Sequence, residues 1–188
     1  MTVRFPLVLV STMILVGCAS GGIQFNSQTF DSGAAPAKNM VIYFNAKSPH
    51  FTGTLYATFV AATQRRIESC SVKVSAIEFD PLDLDMQGKL NKLVEQSNAD
   101  VMLSFLRDGG NLLLGPDGVS GSHYFNVDTK GKNQVNTIWK ARIDFKTLTG
   151  SLFANDKLSG ERFAKQFVSK LASDRVIGGC PPEVVAGT

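Results

Sequence analysis

The stretch that decides the fold runs from Val135 to Leu148 and reads VNTIWKARIDFKTL. Trp139, Ala141, Ile143 and Phe145 fall on one side of an extended chain, and Lys140, Arg142, Asp144 and Lys146 fall on the other, because successive side chains of a strand point to opposite faces. One face is made to be buried and the other to be wetted, as in an antiparallel strand with one solvated side. Lys130 and Gly131 give a turn signal upstream of this run, and His123 to Val127 precedes the turn. The two segments are therefore expected to form an antiparallel hairpin.

Further towards the N-terminus the period changes. Met40 to Phe44 is a continuous apolar run, as expected of a strand buried on both faces. Tyr56, Val60, Thr63, Ile67 and Cys70 recur at helical spacing, with Arg65, Arg66 and Glu68 on other faces. Val72, Val74 and Ala76 alternate with Lys73 and Ser75, which is strand spacing again. Met86, Leu90, Leu93 and Val94 fit a second helix capped by Asp83 or Asp85, and Val101 to Leu106 fits a third strand. This βαβαβ order predicts parallel pairing with right-handed crossovers. Gly109 to Gly121 reads as turns around a short strand at Leu112 to Leu114. Towards the C-terminus, Phe163, Ala164, Phe167, Val168 and Leu171 form the apolar stripe of a last helix, with Ser159 as its expected cap. The fold class is α/β, with α+β as the alternative: a mixed sheet with a βαβαβ first half, an antiparallel hairpin and a C-terminal helix.

Ile138, Trp139, Lys140, Ala141 and Arg142, opening an alternating strand, resemble the N-terminal domain of TolB and envelope lipoproteins of that shape. The resemblance covers the second half of the domain. It implies accessory work: binding and positioning other envelope components without chemistry.

The beginning of the chain has another character. Arg4 is followed by the apolar stretch Phe5 to Leu15, broken only by Ser11 and Thr12. That is the layout of an export signal, and it is shorter than the roughly 20 apolar residues a membrane span needs. The segment ends in Leu15, Val16, Gly17 and Cys18, which resembles the lipobox of bacterial lipoproteins. The resemblance implies a diacylglyceryl group on the Cys18 sulfur, cleavage before Cys18 and acylation of the new amine by a chain such as palmitate. The competing reading is an ordinary signal peptide with a chance cysteine. Two or more acyl chains hold a protein stably at a membrane where one does so only marginally. Ala19 follows the cysteine; in enteric-type bacteria an aspartate at this place resembles an inner-membrane retention signal, so the expected location is the outer membrane, with the domain facing the periplasm.

Residues 1–17 are thus expected to be a signal peptide, 18–38 a lipidated flexible tether and 39–188 one periplasmic domain. The tether is rich in Ser, Gly, Ala, Asn and Gln and as a flexible coil would reach on the order of 25 Å. Ile23, Phe25 and Phe30 interrupt it, and isolated apolar residues of this kind often pack onto a neighbouring domain.

With Cys18 lipidated, Cys70 and Cys180 remain, and an oxidising periplasm allows one pairing between them. The alternative leaves Cys70 as a buried apolar residue.

The chain has 188 residues, 44% of hydrophobic type and 19% charged, which is the balance of a folded domain. Its net charge of +3 falls to +2 when Arg4 leaves with the leader, and the Lys and Arg residues are dispersed, so no nucleic-acid partner is expected. His50 and His123 lack cysteines or carboxylates at metal-ligand spacing, and no cofactor is expected. There is no G-x-S-x-G elbow. Asp83 to Gly88 begins like a calcium loop, but its twelfth position is Val94 where a bidentate glutamate is required, so helix capping is preferred. The glycines after Asp108 are not followed by the Lys and Ser or Thr of a phosphate cradle.

Lys140, Arg142 and Lys146, near Lys130 and Lys132, read either as a solvated sheet face or as a contact for anionic lipid or an acidic protein. Three functions compete. The first is a noncatalytic accessory or binding component of an envelope assembly or transport process, membrane-held by its lipid and docking an envelope protein through a sheet edge or the glycine-rich loop. The second is a periplasmic carrier holding a small apolar ligand or lipid between sheet and helices. The third, weakest for want of a nucleophile and base, is an envelope hydrolase.

Overall fold

The computed structural model describes residues 22–48, 51–115, 118–131, 136–149 and 156–185. The expected leader, Cys18, His50 and Lys132 lie outside the described residues. The elements run β1 (Ile23–Thr29), β2 (Asn39–Asn45), α1 (Gly53–Ser69), β3 (Lys73–Glu78), α2 (Met86–Gln96), β4 (Val101–Gly115), β5 (Gly118–Gly131), β6 (Thr137–Thr149), α3 (Asp156–Ser173) and α4 (Pro182–Val185). Six strands make one sheet in the order β1-β6-β5-β4-β2-β3. β2 is parallel to both β3 and β4, and the remaining pairs are antiparallel. The fold is α/β with a mixed sheet.

The two crossovers travel in opposite directions from β2 to β3 and back to β4, and a common right-handed sense then puts α1 and α2 on opposite faces. Alternate side chains of β2 show this. Met40, Ile42 and Phe44 join the main core with α1 and α3, whereas Val41 and Tyr43 pack with Leu90 and Leu93 of α2. The main core is a cluster of rings. Phe44, Phe51, Phe59, Phe105, Phe125, Phe145, Phe163, Phe167 and Trp139 are each at most 1% exposed. Phe59 and Phe145 both stack on Phe163 with centroids 4.4 Å away.

Three expectations need correction. Residues 23–29 of the expected tether are a strand: β1 pairs along its whole length with β6, from Ile23 opposite Phe145 to Thr29 opposite Trp139. Ile23 and Phe25 face inward and pack on the core, while Gln24, Asn26 and Gln28 are exposed. Burial of two alternating apolar side chains and a full ladder outweighs a linker-like composition.

The glycine-rich stretch is also more regular than expected. Instead of a short strand between turns, β4 and β5 continue to Gly115 and from Gly118. A register shift between Arg107 and Gly110 absorbs the irregularity. Gly109 has φ +114°, and a Cβ on Gly110 would lie 2.6 Å from the Ser122 carbonyl oxygen, so glycine is what lets the bulge form and the ladder resume.

Ser159 is not a cap, because α3 already includes Asp156. Its next residue, Gly160, lies where α3 comes close to α1: an added Cβ would meet the Leu55 carbonyl oxygen at 2.7 Å.

Candidate functional site

α2 covers the β2 and β4 side of the second sheet face. On the remainder of that face, β1, β6 and β5 expose Gln24, Asn26 and Gln28, then Lys140, Arg142 and Lys146, then Asn126. Among the described residues, this is where the sequence-selected cations reach solvent. The period of two is the cause: with Trp139, Ala141, Ile143 and Phe145 buried, the intervening cations have to point outward.

The ladder sets their neighbours. Lys140 lies between Gln28 and Asp128, and Arg142 between Asn26 and Asn126. These residues, with Phe30 and Lys130, line a shallow depression of about 670 Å³. Lys140 stands over the Phe30 ring with Nζ 5.9 Å from its centroid, and Arg142 lies 5.6 Å from the Tyr124 ring centroid. Arg142 also approaches Asp108 at 3.8 Å. The depression is therefore amide-lined and of mixed charge rather than a uniformly basic patch. Lys146 lies outside it, at the opposite end of β6, where its backbone N–H donates to the Gly22 carbonyl (3.2 Å).

The structure joins Cys70, directly after α1, to Cys180 beyond α3, with Cα atoms 3.9 Å apart at a sequence separation of 110. The bond pins the C-terminal segment to the end of the first helix. Gly179 beside it has φ +69°, and an added Cβ would meet the Cys70 carbonyl oxygen at 3.2 Å.

The other candidate residues have structural surroundings. His123 is 4% exposed and lies among the rings of Phe51, Phe125 and Phe145. Asp83 accepts the Asp85 backbone N–H (3.1 Å) and pairs with Lys89 (2.5 Å). That pairing with Lys89, followed by the Asp85 N–H, holds the Asp83 carboxyl below the usual carboxylate range. Asp85 occupies the N-cap position of α2 without a side-chain capping bond. Among the described residues no group of three potential metal ligands comes together.

One polar cluster was not foreseen. Asp174, just past α3, accepts hydrogen bonds from Trp139 Nε1 (2.7 Å), Ser27 Oγ (2.7 Å) and Lys170 Nζ (2.9 Å). It ties α3 to β6 and β1 and forms part of the wall of a smaller recess of about 290 Å³. No sequence pattern links residues 27, 139 and 174; the one available hint was that a buried indole N–H needs an acceptor.

No protein-family profile matches the chain, and no curated protein matches it. Solved structures do. The fold is similar to that of PelC from Paraburkholderia phytofirmans, a dodecamer, with a TM-score of 0.51 and 12% identity over 82% of this chain and 98% of that one. Weaker likenesses are to the hypothetical protein CT253 from Chlamydia trachomatis (TM-score 0.47, 15% identity, 73% and 96% covered) and to lipoprotein GNA1162 from Neisseria meningitidis (TM-score 0.45, 12% identity, 72% and 98% covered). At these identities the likeness is one of fold alone. None of these three proteins is TolB.

Proposed function

We propose that the chain is a lipid-anchored, noncatalytic component of a bacterial cell envelope, held to the periplasmic side of the outer membrane through Cys18 and docking an envelope partner. The observation that carries the anchor is the lipobox-like Leu15-Val16-Gly17-Cys18 at the end of an apolar segment, and the position of β1 sets how closely that anchor would hold the domain. The strand starts at Ile23, so the chain from Cys18 to Gly22 spans at most about 14 Å even when fully extended. A lipid on Cys18 would hold the domain close against the headgroups instead of suspending it on a long tether. Lys146, bonded through its backbone to Gly22, would be the expected cation nearest the anchor.

The open β1-β6-β5 face and the outer edge of β1 are then the surfaces offered to a partner. An unpaired strand edge can accept an extended segment by backbone hydrogen bonding, and side chains on alternate positions supply selectivity. The dodecameric state of PelC, which shares the fold, supports a domain that works within an assembly. The burial of His123 among rings supports a role without catalysis. The carrier reading is less favoured, because the layer between sheet and helices is filled by phenylalanine rings and Trp139.

The test is Cys18→Ser in the full chain, expressed in a two-membrane bacterium. Release into the soluble periplasmic fraction, together with loss of acyl label, is the expected result. An unmodified N-terminus on membrane-retained wild-type protein would overturn the reading.

A further inference from the structure

Besides Phe30 on the face just described and Leu158 on α3, the exposed large hydrophobic side chains among the described residues gather in one connection. Leu82 is 87% exposed and Leu84 101%, and Phe79 beside them is 37% exposed. All three belong to the connection between β3 and α2. This connection is held in shape: Asp80 accepts the Leu82 N–H (2.9 Å), Asp83 accepts the Asp85 N–H (3.1 Å), and Lys89 bridges to Asp83. Two leucines are thereby presented to water on a braced loop that carries three aspartates and no basic residue of its own, Lys89 of α2 pairing with one of them. Fully exposed leucines on an ordered loop gain nothing in the isolated domain and a great deal when covered.

At the other end of the same strand lies a shallow hollow of about 600 Å³, bounded by Pro36, Ala37, Cys70 and Gly179, with Lys38 and Lys73 on its border. Its walls are mostly apolar. Both lysines are exposed, and neither is in an ion pair among the described residues. Asp100 is nearby, but its carboxylate accepts the backbone N–H groups of Lys38 and Asn39. Loop and hollow are thus complementary in shape class and in charge, yet they cannot meet within one chain. β3 runs from Lys73 at the hollow to Glu78 at the loop, about 17 Å at ordinary strand rise.

β3 is also a terminal strand of the sheet. Its central residues Val74, Ser75, Ala76 and Ile77 are all partly exposed and include no charge or proline, the devices that usually protect an edge. Antiparallel pairing of two such edges about a two-fold axis would bring the end of one β3 beside the beginning of the other. The acidic leucine loop of each copy would then face the lysine-bordered hollow of its mate, and both contacts would form at once, as a self-complementary interface requires.

We infer that this edge is a self-association surface: a second copy of the chain pairs with β3 antiparallel, and Leu82 and Leu84 of each copy seat in the hollow bordered by Lys38 and Lys73 of the other. The contact does not depend on what Cys18 carries, so it stands or falls separately from the anchor.

The test uses the full chain purified in mild detergent, with unlabelled and 15N-labelled protein mixed and treated with a carbodiimide that joins carboxylates to amines. The expected result is a dimer by sedimentation, with mixed-isotope links between Lys38 or Lys73 and Asp80 or Asp85. Leu82→Asp combined with Leu84→Asp should raise the dimer dissociation constant roughly tenfold or more and leave the thermal midpoint of the monomer unchanged. Lys73→Glu should also weaken the dimer, and Asp85→Lys in the same chain should restore part of the loss. A monomer at all concentrations, links within single copies only, association indifferent to both sets of substitutions, or crosslinks in cells from this loop to a different protein while the chain stays monomeric would each overturn the inference.

Discussion

The indole of Trp139 donates its N–H to the carboxylate of Asp174 at 2.7 Å, joining β6, next to the edge of the sheet, to the end of α3. Burial alone would push the Asp174 carboxyl up, but the hydrogen bonds from Lys170, Trp139 and Ser27 together outweigh it and hold the group below the usual carboxylate range. A carboxylate lowered in the folded state stabilises the fold above its unfolded value, near 3.8, and that contribution disappears as the pH falls through the folded value. Wild-type stability to urea should therefore decline below about pH 4, where Asp174→Asn should be less sensitive. At pH 7 the Asp174→Ala variant, which strands the Trp139 and Ser27 donors, should lose about 1–3 kcal/mol. Equal acid sensitivity in wild type and Asp174→Asn would remove Asp174 from the account.

The Cys70–Cys180 bond closes a loop of 110 residues. In the chain-entropy description a closure of that length stabilises by about 4–5 kcal/mol, with measured values often smaller. Reduction, or Cys70→Ser with Cys180→Ser, should lower the unfolding midpoint clearly without abolishing the helical signal, because the ring cluster remains. A free-thiol titration of denatured, unreduced protein should find neither cysteine open. Two open thiols would show that the bond does not form in the cell.

Gly160 lies inside α3, where alanine ordinarily strengthens a helix by up to about 1 kcal/mol. Here the sign should reverse. A Cβ would lie 2.7 Å from the Leu55 carbonyl oxygen and 3.1 Å from the Phe59 backbone nitrogen, so α3 and α1 would have to separate over the stack of Phe59 and Phe163. Gly160→Ala should destabilise by about 1–3 kcal/mol, measured by urea unfolding. A more stable variant would show that the helices can shift freely.

Periodicity made most of the architecture legible. The unbroken apolar run Met40–Phe44 and the alternation after Val135 named their strands, because burial on two faces and on one face leave different patterns in sequence. Two of the three misreadings have a common cause, in that local composition was overridden by pairing; the third, Ser159, came from a helix that begins earlier than its apolar stripe. β1 is composed like a linker, and its one signal was the alternation of Ile23 and Phe25. The glycines at 109 and 110 suggested an interruption, yet they permit a bulge within a continuing hairpin. Phe51 gave no signal at all. It is an isolated ring in a loop, but it is completely buried and sits 4.9 Å from Phe125 by centroid distance. The cations of the candidate face could be selected from sequence, whereas their acidic neighbours Asp108 and Asp128 could not, because those positions depend on the register of β4, β5 and β6.

That register separates the cations in a way that can be tested. Arg142 is engaged by Asp108 and Tyr124, and Lys140 stands opposite Asp128. Lys146 lies at the end of β6 that meets Gly22, and a lipid on Cys18 would bring this end towards the headgroups. A basic residue near an anionic surface contributes about 1 kcal/mol, within a Debye length of that surface. Lys146→Glu should therefore reduce binding of the full lipidated chain to anionic vesicles by roughly tenfold, and the loss should shrink as salt is raised. Arg142→Glu should have the smaller effect, since its charge is already partly compensated. Vesicle flotation over a salt series measures both. A larger effect at Arg142 would mean that the amide-lined depression, and not the anchor-proximal end of β6, faces the membrane.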